Sequence, residues 1–240
     1  MYVVTKKGRA AWEAADAAVP DQYRRMLWQI DVQGDQLALN GLRKLYTKAL
    51  VADWVDELIQ LGYLERGKRS DADITVPLDA EAIAAAGEAA SQSLSSVGAY
   101  VAAGSMRALH AKKPGERVVL IVEDDPDQRA LADLRVSMAG YRVRVAANAN
   151  GMLWSLLNEP RPDILLLDVM LPDGNGFDIL PKLRRHPSFS SVVIILLTAM
   201  REPESIGKGL ALGAHGYIAK PYSKNVLKRV FDSIIGHAPA

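Results

Sequence analysis

The sequence predicts an α/β protein, with a doubly wound parallel sheet in its second half and a smaller, mainly helical domain before it. After Pro114, apolar β-rich runs alternate five times with segments whose apolar residues recur at three-to-four spacing. That alternation requires a parallel sheet covered by helices on both faces. The central runs, 164–167 and 192–197, are apolar without alternation, as strands buried on both sides must be. The length, 240 residues with 49% hydrophobic side chains, exceeds one ordinary domain and supplies apolar material for two cores.

The elements are expected in the following order. Residues 22–30, 37–46 and 47–61 read as three short helices, with Trp28, Leu45, Leu50, Trp54, Leu58 and Leu61 as their core. A glycine turn at Gly62 leads into a strand through Arg66, answered by Ile74-Thr75-Val76. Residues 78–115 are rich in Ala, Ser and Gly and read as a helical linker. Within it Ile83, Gly87, Ala90, Leu94, Val97, Val101 and Gly104 form a seam of small and apolar side chains. Either the linker is mostly solvated or it pairs with a partner through that seam. Lys112-Lys113-Pro114-Gly115 marks its end, since Pro cannot extend a helix. Five strands then follow at 118–122, 142–146, 164–167, 192–197 and 217–219, alternating with helices at 126–138, 151–158, 177–185, 202–212 and 223–235.

Composition removes several classes of function. With no cysteine, disulfides, thiolate metal sites and thiol catalysis are excluded. The apolar run 192–197 is far short of the roughly 18 residues that a membrane-spanning helix needs. Lys6, Lys7 and Arg9 stand where a secretion signal would be apolar, so the expected location is cytoplasmic, with no membrane partner. Lys and Arg (29) nearly balance Asp and Glu (28), so any nucleic-acid contact must rest on local charge.

Chemistry gathers at the strand ends. The first strand of the sheet ends in Glu123-Asp124-Asp125, the third in Asp168, the fourth in Thr198 and the fifth in Lys220-Pro221. In an open parallel sheet all four share the edge where ligands bind. Crowded carboxylates repel and need a cation, and oxygen ligands without His or Cys select a hard ion such as Mg²⁺, with Mn²⁺ as its substitute. Phosphoryl transfer to a carboxylate needs little beyond alignment and charge neutralisation, which the cation, Lys220 and Thr198 would supply. Asp168 is the expected acceptor.

These residues resemble the receiver domain of two-component response regulators, the partners of sensor histidine kinases and phosphotransfer proteins. The resemblance runs from about Arg117 to Ile235, through Val119-Leu120-Ile121-Val122-Glu123-Asp124-Asp125, Leu167-Asp168-Val169-Met170-Leu171-Pro172-Asp173-Gly174, Leu197-Thr198-Ala199, Gly213-Ala214, Tyr217 and Lys220-Pro221. It implies a flavodoxin-like (βα)5 fold over 116–238 and a signalling protein rather than an enzyme. It places the family's acidic pair on Glu123 and Asp124, with Asp124, Asp168 and the Met170 backbone carbonyl as metal ligands and Glu123 acting through water. Asp168 takes the phosphoryl group, Thr198 and Lys220 bond its oxygens, and Thr198 and Tyr217 form the switch, with Tyr217 rotating inward. The same resemblance implies a cis Lys220-Pro221 peptide. Asp125 reads as a loop acid or as the cap of the helix that starts at Pro126. Ala214-His215-Gly216 departs from the acidic turn of many members, which leaves the mode of any homodimer open. Two enzyme classes do not fit. A haloacid-dehalogenase-type phosphatase wants a second Asp where Met170 stands, and a dinucleotide site wants a glycine-rich turn where Glu123-Asp124-Asp125-Pro126 stands.

Residues 1–77 resemble a winged helix-turn-helix, with Thr5-Lys6-Lys7-Gly8-Arg9-Ala10 like the lead-in of several such regulators. Its third helix, which would enter a DNA groove, carries Asp53, Asp56 and Glu57 beside Lys48 and Gln60. Acids there oppose phosphate. Arg66, Lys68 and Arg69 partly offset them, but Asp71 and Asp73 follow. Two outputs therefore stand side by side: phosphorylation-dependent regulation of transcription through DNA, or a protein-interaction or dimerisation module that needs no DNA.

Overall fold

The computed structural model describes residues 1–13, 19–67, 80–102, 114–186, 188–199 and 202–235. The chain divides into two compact units, Met1–Ile74 and Thr75–Ala240. No described helix is long and apolar enough to cross a membrane.

The first unit runs β1 (Tyr2–Val4), α1 (Lys6–Glu13), α2 (Asp21–Gln33), α3 (Asp35–Leu45), α4 (Lys48–Gln60) and β2 (Leu64–Arg66). It is mainly helical, as expected, and the three expected helices are present as α2, α3 and α4. The partner of β2 is β1, antiparallel with Val4 opposite Leu64. Residues 74–76, expected to answer that strand, lie outside the described residues, as do Lys68, Arg69, Asp71 and Asp73. Thr5 fastens the pair, its Oγ1 donating to the Gly62 carbonyl at 2.7 Å and its N–H to the Tyr63 carbonyl at 3.1 Å. Thr47 caps α4 by accepting from the Leu50 N–H.

The core of α4 differs from the expected one. Val51, Val55 and Leu58 are buried, while Leu50 is 39% and Leu61 42% exposed. One helical stripe can face inward, and steps of four and three place it on Val51, Val55 and Leu58, with Leu50 and Leu61 on its flank. Trp28 is buried as expected, and Trp54 is half-buried, edge-on to the Tyr46 ring at 5.0 Å.

The second unit begins with α5 (Ala80–Val97) and β3 (Ala99–Val101), then a 3-10 turn at Pro114–Glu116. There follow β4 (Val118–Val122), α6 (Pro126–Met138), β5 (Arg142–Ala146), α7 (Ala149–Asn158), β6 (Ile164–Asp168) and a small hairpin of β7 (Met170–Leu171) and β8 (Gly174–Asn175). The chain closes with α8 (Gly176–Arg185), β9 (Val193–Thr198), α9 (Pro203–Ala211), β10 (Gly216–Ala219) and α10 (Lys224–Ile235). The sheet order is β3-β10-β9-β6-β4-β5, parallel throughout except for β3, which pairs antiparallel with β10. This is the flavodoxin-like fold. Every residue of β6 and β9 is buried, the physical reason their runs lack alternation.

Two expectations are corrected here. Among the described residues the sheet has six strands rather than five, because Ala99–Val101 adds an antiparallel edge. The segment expected as a mostly solvated linker over 78–115 is, in its described part, built into the second unit: Gly87, Ala90 and Leu94 of α5 are buried. Of the seam proposed for one helix, Val97 is 43% exposed, Val101 belongs to β3, and Gly104 lies outside the described residues. Gly98, at φ +76°, reverses the chain between α5 and β3, so the seam cannot continue past it.

Candidate functional site

Strand order reverses at β4, with β5 on one side and β6 on the other, and the crevice opens at their carboxyl ends. Glu123 and Asp124 directly follow β4, Asp168 ends β6, Thr198 ends β9, and Lys220 follows β10. Parallel pairing of these strands brings the four strand ends, distant in sequence, to one edge.

Lys220 joins two of them. Its Nζ is 2.6 Å from Asp168 Oδ2 and 2.6 Å from Glu123 Oε2. Asp168 Oδ1 accepts from the Met170 N–H at 3.0 Å, so the hairpin after β6 holds the carboxylate from the other side. The backbone N–H of Lys220 donates to the Thr198 carbonyl at 2.8 Å, tying the ends of β9 and β10. Thr198 is buried and Asp124 exposed. The Lys220-Pro221 peptide is cis.

Electrostatics leave the site short of positive charge. Carboxylate oxygens of Glu123, Asp124 and Asp168 lie within 4.8 Å of one another, facing one ammonium. Glu123 is 1% exposed and its Oε1 has no hydrogen-bond partner. Burial pushes the Glu123 pKa up, Lys220 opposing this and Asp168 adding to it. Burial also works against the charge of Lys220, but its hydrogen bonds to Asp168 and Glu123 outweigh that and hold its pKa above the ordinary value. An orphaned buried carboxylate oxygen beside two further carboxylates is a donor set suited to a small, hard divalent cation.

Asp125 stands apart from this cluster as the cap of α6, accepting from the N–H groups of Asp127 and Gln128 at 2.9 and 2.8 Å. Tyr217, expected to rotate inward on switching, is inward already: it is 1% exposed and its hydroxyl donates to the Ile206 carbonyl at 3.1 Å. Two supporting residues escaped the sequence reading. Arg129 donates to the carbonyls of Glu123 and Asp124 at 2.8 and 3.0 Å, bracing the acidic turn. Asp173 accepts from the N–H groups of Ala149 and Asn150 at 2.8 and 3.0 Å, anchoring the loop between β7 and β8 to the start of α7. Arg129 lies one turn into α6, a spacing that could have marked it. Asp173 stands in the run 167–174 that carries the resemblance, but nothing linear ties it to the start of α7.

Residues 119–232, just under half of the chain, match the family model described as the response regulator receiver domain. That segment is a response regulator receiver domain. The chain is 39% identical over 109 residues to the transcriptional regulatory protein AfsQ1 of Streptomyces coelicolor, covering 45% of this chain and 47% of that protein. It is 35% identical over 115 residues to the phosphate regulon transcriptional regulatory protein PhoB of Escherichia coli, covering 48% of this chain and 50% of that one. The chain thus spans about half the length of the curated relatives it matches. Among solved structures, a putative response regulator from Chloroflexus aurantiacus is 32% identical, with 52% of this chain and 100% of that chain covered at a TM-score of 0.48. The receiver's acidic crevice is the site described above.

Proposed function

We propose that this chain is a two-component response regulator that accepts a phosphoryl group on Asp168 from a sensor histidine kinase or phosphotransfer protein and passes the change to the N-terminal unit to control transcription. The observation that carries it is the Lys220 ammonium 2.6 Å from the carboxylates of both Asp168 and Glu123, inside a receiver domain. An Asp168 oxygen forms a bond to phosphorus as the donor's own bond to phosphorus breaks and its leaving group departs. Lys220 and the Thr198 hydroxyl then bond oxygens of the transferred group. Asp124, Asp168 and the Met170 carbonyl would hold Mg²⁺ or Mn²⁺ directly and Glu123 through water. When bound, the cation neutralises charge on the transferred oxygens. Lys220 keeps Asp168 oriented, and Met170 N–H fixes the oxygen that Lys220 does not touch.

Incubation with acetyl phosphate and Mg²⁺, followed by intact mass, tests the acceptor. Added mass on the wild type and none on Asp168→Asn is the expected result, and equal mass on both would remove Asp168 from the role.

A second output is favoured by α4, whose Asp53, Asp56 and Glu57 are all exposed. Such a face repels DNA phosphates and suits a basic protein partner or a second copy of the module. Retention of DNA at two salt concentrations separates the two outputs. Binding that weakens with salt supports transcriptional control through DNA, and negligible retention at both supports the protein-interaction module.

A further inference from the structure

The helix and strand that precede the receiver are seated on the elements that carry Tyr217, and they are seated closely. A Cβ on Gly87 of α5 would stand 2.1 Å from the Pro203 carbonyl oxygen, and one on Gly207 of α9 would stand 2.4 Å from the Ile83 carbonyl oxygen. The two helices therefore meet backbone to backbone, without side chains between them to absorb a shift. On the other side of α9, a Cβ on Gly209 would stand 1.9 Å from the Tyr217 hydroxyl, which bonds the carbonyl of Ile206, the residue before Gly207. Tyr217 and α5 thus press on α9 at adjacent positions. The strand is engaged too: Tyr100 pairs with Tyr217 across β3 and β10, and the N–H of Ala102 donates to the His215 carbonyl at 2.8 Å. Ser93 Oγ donates to the Ala99 carbonyl at 2.7 Å and Arg229 to the Val97 carbonyl at 2.9 Å, binding helix, strand and α10 together.

A continuous path joins this assembly to the acidic crevice. Asp168 holds Lys220 by its ammonium, Lys220 directly follows β10, and Ala219, its neighbour, donates its N–H to the carbonyl of Gly98, where α5 turns into β3. A doubly charged group added at Asp168 offers Lys220 new oxygens and draws it from its present position between Asp168 and Glu123. Displacement of Lys220 is then a displacement of β10 against β3. With no side chains between α5 and α9 to absorb a shift, such a displacement must loosen the seat of α5 rather than deform it.

We propose that residues 80–101 are an intramolecular clasp on α9 and β10, and that charging Asp168 loosens it, making this segment the receiver's own readout toward the N-terminal unit. This rests on the reading that Asp168 takes the phosphoryl group, whose P–O bond forms as that of acetyl phosphate breaks and acetate leaves. By linkage, loosening the clasp must also favour the charged state.

Hydrogen exchange of the full chain, read peptide by peptide with and without acetyl phosphate and Mg²⁺ and with intact mass taken from the same sample, tests it. Exchange over residues 80–101 is expected to quicken at least about fivefold, the lower end of ordinary couplings between sites, in protein that carries the added mass. Asp168→Asn is expected to stay unchanged. Added mass with unchanged or slower exchange over 80–101 overturns the clasp. Absence of added mass overturns the phosphoryl reading instead, and a second arm then decides the clasp without any donor. Tyr217→Phe, which loses the hydroxyl's bonds to the Ile206 and Ser205 carbonyls of α9, is expected to quicken exchange over 80–101, and no change there would overturn the proposal.

Discussion

The Lys220 ammonium stands 2.6 Å from Asp168 Oδ2. The same nitrogen is 2.6 Å from Glu123 Oε2, so one cation holds two buried carboxylates that would otherwise repel. Lys220→Met leaves both acids uncompensated, and a loss of about 2–4 kcal/mol at pH 7 is expected, because breaking a buried pair strands the remaining charge. Urea unfolding measures it. Since the folded pKa of Lys220 is raised, the stability it contributes is complete below its unfolded value, about 10.4, and fades only as the pH rises through the folded one. The Lys220→Met difference should therefore be flat from pH 7 to about 10. A difference that already disappears at pH 8 would show that the ammonium does not hold these acids.

His215 should make the receiver acid-sensitive. Its Nδ1 accepts from Arg184 at 2.7 Å and from the Ile194 N–H at 3.1 Å. Burial, with the Arg184 charge adding to it, pushes its pKa down to about 4. The unfolded chain binds that proton near pH 6.5, so unfolding takes up a proton between the two values and stability falls as the pH drops from about 6.5 toward 4, by about 3 kcal/mol at most. His215→Asn keeps an acceptor and cannot take the proton. Unfolding free energies measured at pH 7, 6, 5 and 4 should fall less steeply for the variant, and parallel slopes would dismiss His215 as the cause.

How far the sequence discloses the molecule depends on what kind of contact holds each part. The strand at 118–122 and the run 164–167 of β6 fall where the sequence places them, because large apolar side chains mark buried faces directly. The gathering of Glu123, Asp124, Asp168, Thr198 and Lys220 is legible for a topological reason: parallel strands put their ends on one edge. The seating of α5 is not, since contacts from glycine to backbone leave Gly87 and Gly207 with no apolar signature. Neither is β1, three residues long, whose pairing with β2 spans the whole first unit. Tyr217 shows a third limit. An aromatic at a strand end is visible in sequence, while its inward position depends on the absence of a side chain at Gly209.

Gly8 is expected to govern the first unit in the same steric way. A Cβ there would stand 2.1 Å from the Tyr63 carbonyl oxygen and 2.9 Å from Val4 Cγ1, where Thr5 joins the turn before β2. Gly8→Ala should cost about 1–3 kcal/mol, as other overpacked sites do. Tryptophan fluorescence isolates the effect, because Trp12 and Trp28 are buried in this unit while Trp154 of the receiver is 52% exposed. A lowered urea midpoint by fluorescence, with phosphoryl uptake at Asp168 unchanged, is the expected pattern.

Asp125 and Asp124 should separate cleanly despite being neighbours. Asp125 spends its carboxylate on the N–H groups of Asp127 and Gln128, so Asp125→Ala removes a helix cap and should cost about 1 kcal/mol of stability. Asp124 is exposed and contributes an oxygen to the cluster with Glu123 and Asp168. Asp124→Asn should weaken Mg²⁺ binding at least about tenfold, the least that disturbing a metal site ordinarily costs, and leave urea stability without Mg²⁺ unchanged or improved, since it relieves repulsion. Calorimetric titration of Mg²⁺ into both variants decides. If Asp125→Ala is the one that loses the cation, the acidic pair is Asp124 and Asp125, and the assignment of Glu123 to the crevice fails with it.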